Sequence, residues 1–146
     1  MSQYASVSQS HIPDQIDSSA SLAVASLFGR VLLSAIYLLS GLSKVAAPAA
    51  TIGYISSAGL PLAPLGLAIA VAVEILGGAA LIAGYRTRFV AAVLAVFTVA
   101  TALAFHNHLA DQDQFIHFFK NIAMAGGLLQ VVAFGAGRFS LDARRT

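Results

Sequence analysis

Hydrophobic residues fall into four long blocks, roughly 22–47, 62–85, 89–106 and 115–135, separated by short stretches rich in polar residues, Pro or Gly. A helix that crosses a bilayer needs about 20 mostly apolar residues, and each block approaches that length. The pattern predicts an all-α integral membrane protein, a bundle of four transmembrane helices over residues 21–139. Pro48 ends the first helix, and Pro61 and Pro64 suit the first turn of the second, where a missing N–H costs little. The moderately apolar stretch 49–60 between them is expected at the membrane interface, as a short helix. The turn 85–88 is so short that the second and third helices must be antiparallel neighbours.

Charge refines this picture. Arg30 and Lys44 interrupt the first block about 21 Å apart on a helix, a separation that suits charges snorkelling toward water from the two ends of a span. If the N-terminus is cytoplasmic, the inside holds Arg30, Arg86, Arg88, Arg138, Arg144 and Arg145 and the outside only Lys44 and Lys120. That bias predicts both termini in the cytoplasm, with Asp111 and Asp113 in an outward loop. Residues 1–20 are Ser-rich, carry Asp14 and Asp17 and lack Lys and Arg, so they are expected to form a flexible tail rather than the basic start of a signal peptide. Residues 140–146 form a basic C-terminal tail.

Of 146 residues, 58% are hydrophobic and 10% charged, and the mean hydropathy is +0.83, too apolar for an ordinary soluble domain of this size. A pI near 9.3 does not argue for nucleic acid, because the arginines sit beside apolar spans instead of forming a basic run. There is no cysteine, which excludes thiol–disulfide chemistry and iron–sulfur ligation by Cys in this chain. A redox role requires a partner subunit or a bound cofactor.

The residue that most invites a functional reading is Glu74, the one charge in the second block, about 18 Å along its helix from Leu62. A carboxylate at that depth must be paired, protonated or wetted. A protonated Glu would serve as a proton carrier or as a hydrogen-bond donor to a quinone oxygen, and a paired one as a structural clamp. Lys120, about 8 Å inward of Phe115 on the fourth helix, is the expected partner if the second and fourth helices are adjacent. Lys44, beside Ser40 and Ser43, is its competitor. Asn121 points about 100° away from Lys120 and suits an interhelical hydrogen bond, as does Gln130. His106, His108 and His117 gather near the outward loop, but their spacing matches no closed metal motif. A His at the outer end of the third helix could relay protons between water and a buried Glu. Tyr37, Tyr54, Tyr85, Phe118 and Phe119 could line a pocket for a flat ligand, although Tyr54 and Tyr85 fit an interfacial belt better. Gly pairs at 77–78 and 126–127, with Ala80, Gly84 and Ala123, favour close helix packing.

The ordered set Gly29-Arg30, Ser40-Gly41-Leu42-Ser43-Lys44, Gly59-Leu60-Pro61, Glu74-x-x-Gly77-Gly78, Gly84-x-x-Thr87-Arg88, Phe105-His106, Phe119-Lys120-Asn121 and Gly126-Gly127 resembles the DoxX family of small four-helix bacterial membrane proteins. The likeness covers about residues 26–139. It implies an inner-membrane location and a description as an oxidoreductase; some relatives are subunits of thiosulfate:quinone oxidoreductase or of assemblies that handle oxidative and thiol stress. By that likeness Glu74, His106, Lys120 and Asn121 match the polar positions of the family pattern, with Arg30 and Lys44 in the first helix.

Two functions are therefore expected. In the first, a quinone-linked redox subunit, Glu74 and Lys120 handle the oxygen and protons of a quinone, His106 links to outer water, Arg30, Lys44 and Asn121 bind ligand, and a partner supplies electrons. In the second, a non-catalytic membrane anchor or assembly module, buried charges specify helix pairing. Membrane lipids are the remaining expected partners, together with further copies of the chain.

Overall fold

A computed structural model describes residues 13–145, with the side chains of 13–18 left aside. The elements in order are α1 (Pro13–Ala46), α2 (Pro48–Ser57), α3 (Ala63–Ala83), α4 (Thr87–Phe105), α5 (Gln112–Phe134) and a final 3-10 turn, Asp142–Arg144. Four helical stretches are long and apolar enough to span a membrane: Ser19–Ala46, Ala63–Ala83, Thr87–Phe105 and Gln112–Phe134. Helix α1 reaches back to Pro13, into the segment expected to be a tail; residues 1–12 of that expected tail lie outside the described residues.

The helices form an open ring. Helix α1 packs along α3, α3 against α4, and α4 along α5, while α1 and α5 touch more sparingly. Glycines set the α1–α3 approach. A Cβ at Gly41 would lie 2.7 Å from Ile75 Cγ1, and one at Gly78 would lie 3.0 Å from the side chain of Leu38. Gly77 makes the equivalent room for Leu94 of α4. The small residues thus allow close backbones where lipid offers no hydrophobic drive for helix association.

The exterior is apolar because lipid is the solvent. Leu32, Leu39, Leu76, Val96 and Phe134 are each at least 68% exposed, which in a bilayer is favourable contact with acyl chains. Buried apolar side chains gather in the half of the bundle containing Leu81, Ala91, Leu94 and Leu128, with Leu33, Val90 and Val131 against them. The other half is hollow.

Helix α2 shapes that hollow. Pro48 lacks an N–H and its ring conflicts with a carbonyl four residues back, so α1 breaks at Ala47 and resumes as α2 in a new direction. Ile55 faces Gly66 of α3, while Tyr54 stacks on Phe105 of α4 with ring centroids 5.2 Å apart. The short helix expected over 49–60 is therefore present, and it bridges α3 and α4 at one end of the bundle. The described residues end in a segment that folds back over the other end, with Leu141 N–H donating to Ala83 O at 3.0 Å and Asp142 N–H to Gly84 O at 2.9 Å.

Candidate functional site

Glu74 sits on the buried face of α3, roughly 16 Å from Ala63 and 14 Å from Ala83, close to the middle of the span. Its partner is Lys44. The Lys44 ammonium donates to Glu74 Oε1 at 2.9 Å and Oε2 at 3.0 Å, and to Ser40 Oγ at 2.7 Å. Ser40 in turn donates to Glu74 Oε1 at 3.2 Å. Residues 40 and 44 are one helical turn apart, so α1 presents both to the same carboxylate. The expected partnership with Lys120 does not form. Helix α4 stands between α3 and α5 in the ring, and Lys120 contacts His117 Nδ1 at 3.0 Å, one turn back on its own helix. Because Lys120 and Lys44 are both cations near one acid, helix adjacency decides between them, and adjacency favours Lys44.

The pair lines a partly open cavity of about 790 Å³ to which all five helices contribute residues. Helix α1 contributes Tyr37, Ser40 and Lys44, α2 contributes Thr51, Tyr54 and Ile55, and α3 contributes Ala70 and Glu74. Helix α4 adds Phe97, Thr98 and Phe105, with His106 just beyond its end, and α5 adds Lys120, Asn121 and Met124. Glu74, Lys44, His106, Lys120 and Asn121 are thus brought to one space. His106 Nδ1 lies 2.9 Å from Gln114 Oε1, and its ring stacks on His117 at 5.1 Å. A row His106, His117, Lys120 therefore runs along the α4–α5 side, opposite the Glu74–Lys44 pair on α1 and α3. Among the described residues, no three His, Asp or Glu side chains converge to hold a metal ion. Asp111 instead caps α5 by accepting the Gln114 N–H at 3.0 Å.

Tyr37 is a site residue whose hydrogen bonding the sequence did not reveal. Its hydroxyl is bonded to Thr98 Oγ1, while the Thr98 hydroxyl donates to Leu94 O at 2.7 Å. A hydroxyl has one proton, so Tyr37 must be the donor to Thr98. The signal available in sequence was the helical spacing of Tyr37, Ser40 and Lys44, which places all three on one face.

Arg30 belongs elsewhere. It is 1% exposed and donates through Nη1 to Leu81 O and Ile82 O, each at 2.9 Å, and through Nη2 to Phe139 O. It satisfies the final carbonyls of α3, where the helix dipole favours a cation, so it neither snorkels to water nor lines the cavity. Gly84, at φ +67°, ends the same helix; a Cβ there would lie 2.7 Å from Arg30 Nη1 and 2.3 Å from Ser140 Cβ. Asp142 caps the next helix from a distance in sequence, accepting the N–H groups of Arg86 and Thr87 at 2.8 Å and the Thr87 hydroxyl at 2.7 Å. The Thr87 N–H chiefly holds the Asp142 carboxyl below its ordinary value, helped by the Thr87 hydroxyl, the Arg86 N–H and the nearby Arg145 charge. Beside it Arg145 lies 4.8 Å over the Tyr85 ring, and hydrogen bonding from Arg145 and then Arg86 lowers the Tyr85 phenol below its usual value.

Comparison with known proteins agrees with this architecture. Residues 25–107 match the DoxX family model. Inner membrane protein YqjF of Escherichia coli K12 is 32% identical over 116 residues, covering 80% of this chain and 88% of the relative. Inner membrane protein YphA of the same organism is 30% identical over 133 residues, covering 88% and 95%. No solved structure matches. With four spans and relatives of this kind, the chain is an integral protein of the bacterial inner membrane and belongs to the DoxX family.

Proposed function

We propose that the protein is a quinone-binding subunit of a membrane redox assembly, with the ligand seated in the cavity beside Glu74. The observation that carries this reading is the composition of the cavity wall: aromatic and aliphatic side chains around a few converging polar groups, the character expected of a site for a flat amphipathic molecule. A quinone supplies two carbonyl acceptors and takes up two electrons and two protons. Lys120 and Asn121 on α5 offer donors to those oxygens, whereas the protons of Ser40 and Lys44 are engaged within the Glu74 cluster. Glu74, held by Lys44, is the acid–base group, and His106 the link to water at the end of α4. Electrons come from a partner subunit, because the chain has no cysteine and offers no carrier of its own.

A second reading is favoured by one specific observation. The Glu74–Lys44 pair joins α1 to α3, as expected of a clamp that fixes helix pairing in an anchor or assembly module. Equilibrium dialysis of the detergent-purified protein against a short-chain quinone separates the two. The redox reading expects saturable binding that weakens at least tenfold in Glu74→Gln per mole of folded protein. Absence of binding to the native chain, with Glu74→Gln merely lowering the yield of folded protein, would leave the anchor.

Both termini are assigned to the cytoplasm on the same footing. Arg86, Arg88, Arg138, Arg144 and Arg145 flank the α3–α4 turn and the C-terminal segment at one end, whereas Lys44 and Lys120 border the cavity in the other half. A reporter fused after Thr146 should be active only inside; activity only outside would reverse the assignment.

A further inference from the structure

The end of the bundle away from the cavity carries five exposed arginines, Arg86, Arg88, Arg138, Arg144 and Arg145. They come from two segments that the backbone joins, since Leu141 and Asp142 donate to the carbonyls of Ala83 and Gly84. Asp142, the carboxylate in their midst, is already occupied by three hydrogen bonds from the start of α4. It offsets one of the five guanidinium charges and leaves the cluster strongly positive. Arg88 rests over Gly135, where a Cβ would lie 3.4 Å from its Nε, so the absent side chain leaves room for the guanidinium between α4 and the C-terminal segment. Arg138 follows three residues later. Phe89, 68% exposed, and Phe139, 53%, adjoin Arg88 and Arg138 in sequence, and Phe134, 79% exposed, directly precedes Gly135.

We propose that this end binds the headgroup of an acidic glycerophospholipid, its phosphate held by Arg88 and Arg138 and its acyl chains lying along Phe89 and Phe134. Guanidinium groups match phosphate oxygens through paired N–H donors, and a basic cluster at the edge of a membrane span attracts anionic lipid. The flanking phenylalanines select the lipid over a soluble anion, because a bound headgroup continues into apolar surface that is already turned toward acyl chains. No residue is shared with the cavity, so the site stands apart from any quinone chemistry.

The test is lipid binding to the full-length protein in neutral detergent, read by native mass spectrometry and by thermal unfolding with added phosphatidylglycerol or phosphatidylcholine. The native chain should retain phosphatidylglycerol preferentially. Each arginine removed is expected to weaken that binding about fivefold, so Arg88→Gln with Arg138→Gln should lose about 25-fold with phosphatidylcholine binding unchanged. Replacement of both by Lys should restore part of the loss, since charge returns without the planar fork. Equal retention of the two lipids by the native chain would overturn the proposal, as would unchanged phosphatidylglycerol affinity in the double variant. Full displacement of the lipid by millimolar inorganic phosphate would also overturn it, by showing a site for the free anion.

Discussion

The Glu74–Lys44 pair makes the sharpest energetic prediction. Removing one partner of a buried pair leaves the other uncompensated and typically costs about 3–5 kcal/mol, whereas removing both often costs little. The two single losses should differ here. Lys44 is 23% exposed and Glu74 7%, and Lys44 keeps Ser40 Oγ at 2.7 Å when Glu74 is neutralised. Without Lys44, Glu74 keeps only the weaker Ser40 contact at 3.2 Å. Lys44→Met should therefore sit at the upper end of that range and Glu74→Gln below it, with the double variant recovering much of the loss. Reversible unfolding in mixed micelles, followed by helical circular dichroism as a denaturing detergent is added, gives the coupling energy from the four proteins. A coupling above about 3 kcal/mol is expected, since the two single losses together far exceed that of the double variant; this is well above the ~0.6 kcal/mol of an average interhelical hydrogen bond in a membrane. A value at or below that average would refute the pairing argument. So would an equal or larger coupling between Glu74 and Lys120.

Four further outcomes follow from the opposite end of the bundle. Arg30→Met should strip the carbonyls of Leu81, Ile82 and Phe139 of their donor and destabilise by more than about 3 kcal/mol in the same assay, with Arg30→Lys rescuing only part. Gly84→Ala should lose more than about 1 kcal/mol, because its backbone is left-handed and its Cβ would overlap Ser140; a loss no larger than that of Ala83→Gly would contradict this. Asp142→Ala should cost about 1 kcal/mol as a lost helix cap. The Asp142 carboxyl is lowered in the folded state, so its contribution is complete above the ordinary value of 3.8 and is lost as pH falls through the lower folded value. Asp142→Asn should accordingly flatten the acid limb of the stability profile measured by thermal unfolding, and an unchanged limb would exclude the cap as its source.

Much of this architecture could be read along the chain, for reasons that also explain what could not. Length and apolarity fix the spans, since a bilayer demands nearly the same of every crossing helix, and Pro48 fixes the break that creates α2. That Glu74 had to be paired, protonated or wetted followed from desolvation alone. Which cation serves it depended on the order of helices around the ring, and nothing local to residues 44, 74 or 120 encodes that order. Arg30 was misread for a related reason: its acceptors are backbone carbonyls of α3 and the C-terminal segment, which have no signature in side-chain sequence. The cap from Asp142 to Thr87 spans 55 residues and was equally invisible. The approach of His106 and Lys120 to Glu74's cavity could be anticipated from their place at the outward end, but not that of Asn121, which points about 100° away from Lys120, nor the bridging position of α2, whose Tyr54 reaches Phe105.

The claim that the cavity receives a quinone is tested most directly by photolabelling the purified protein with a short-chain azidoquinone and mapping the modified peptides by mass spectrometry. Labelling should concentrate on cavity-facing residues of α1, α2 and α4, such as Tyr37, Tyr54 and Phe97, and should be suppressed by excess unlabelled quinone and in Glu74→Gln. Label confined to the lipid-facing surface, or indifferent to competitor, would contradict it.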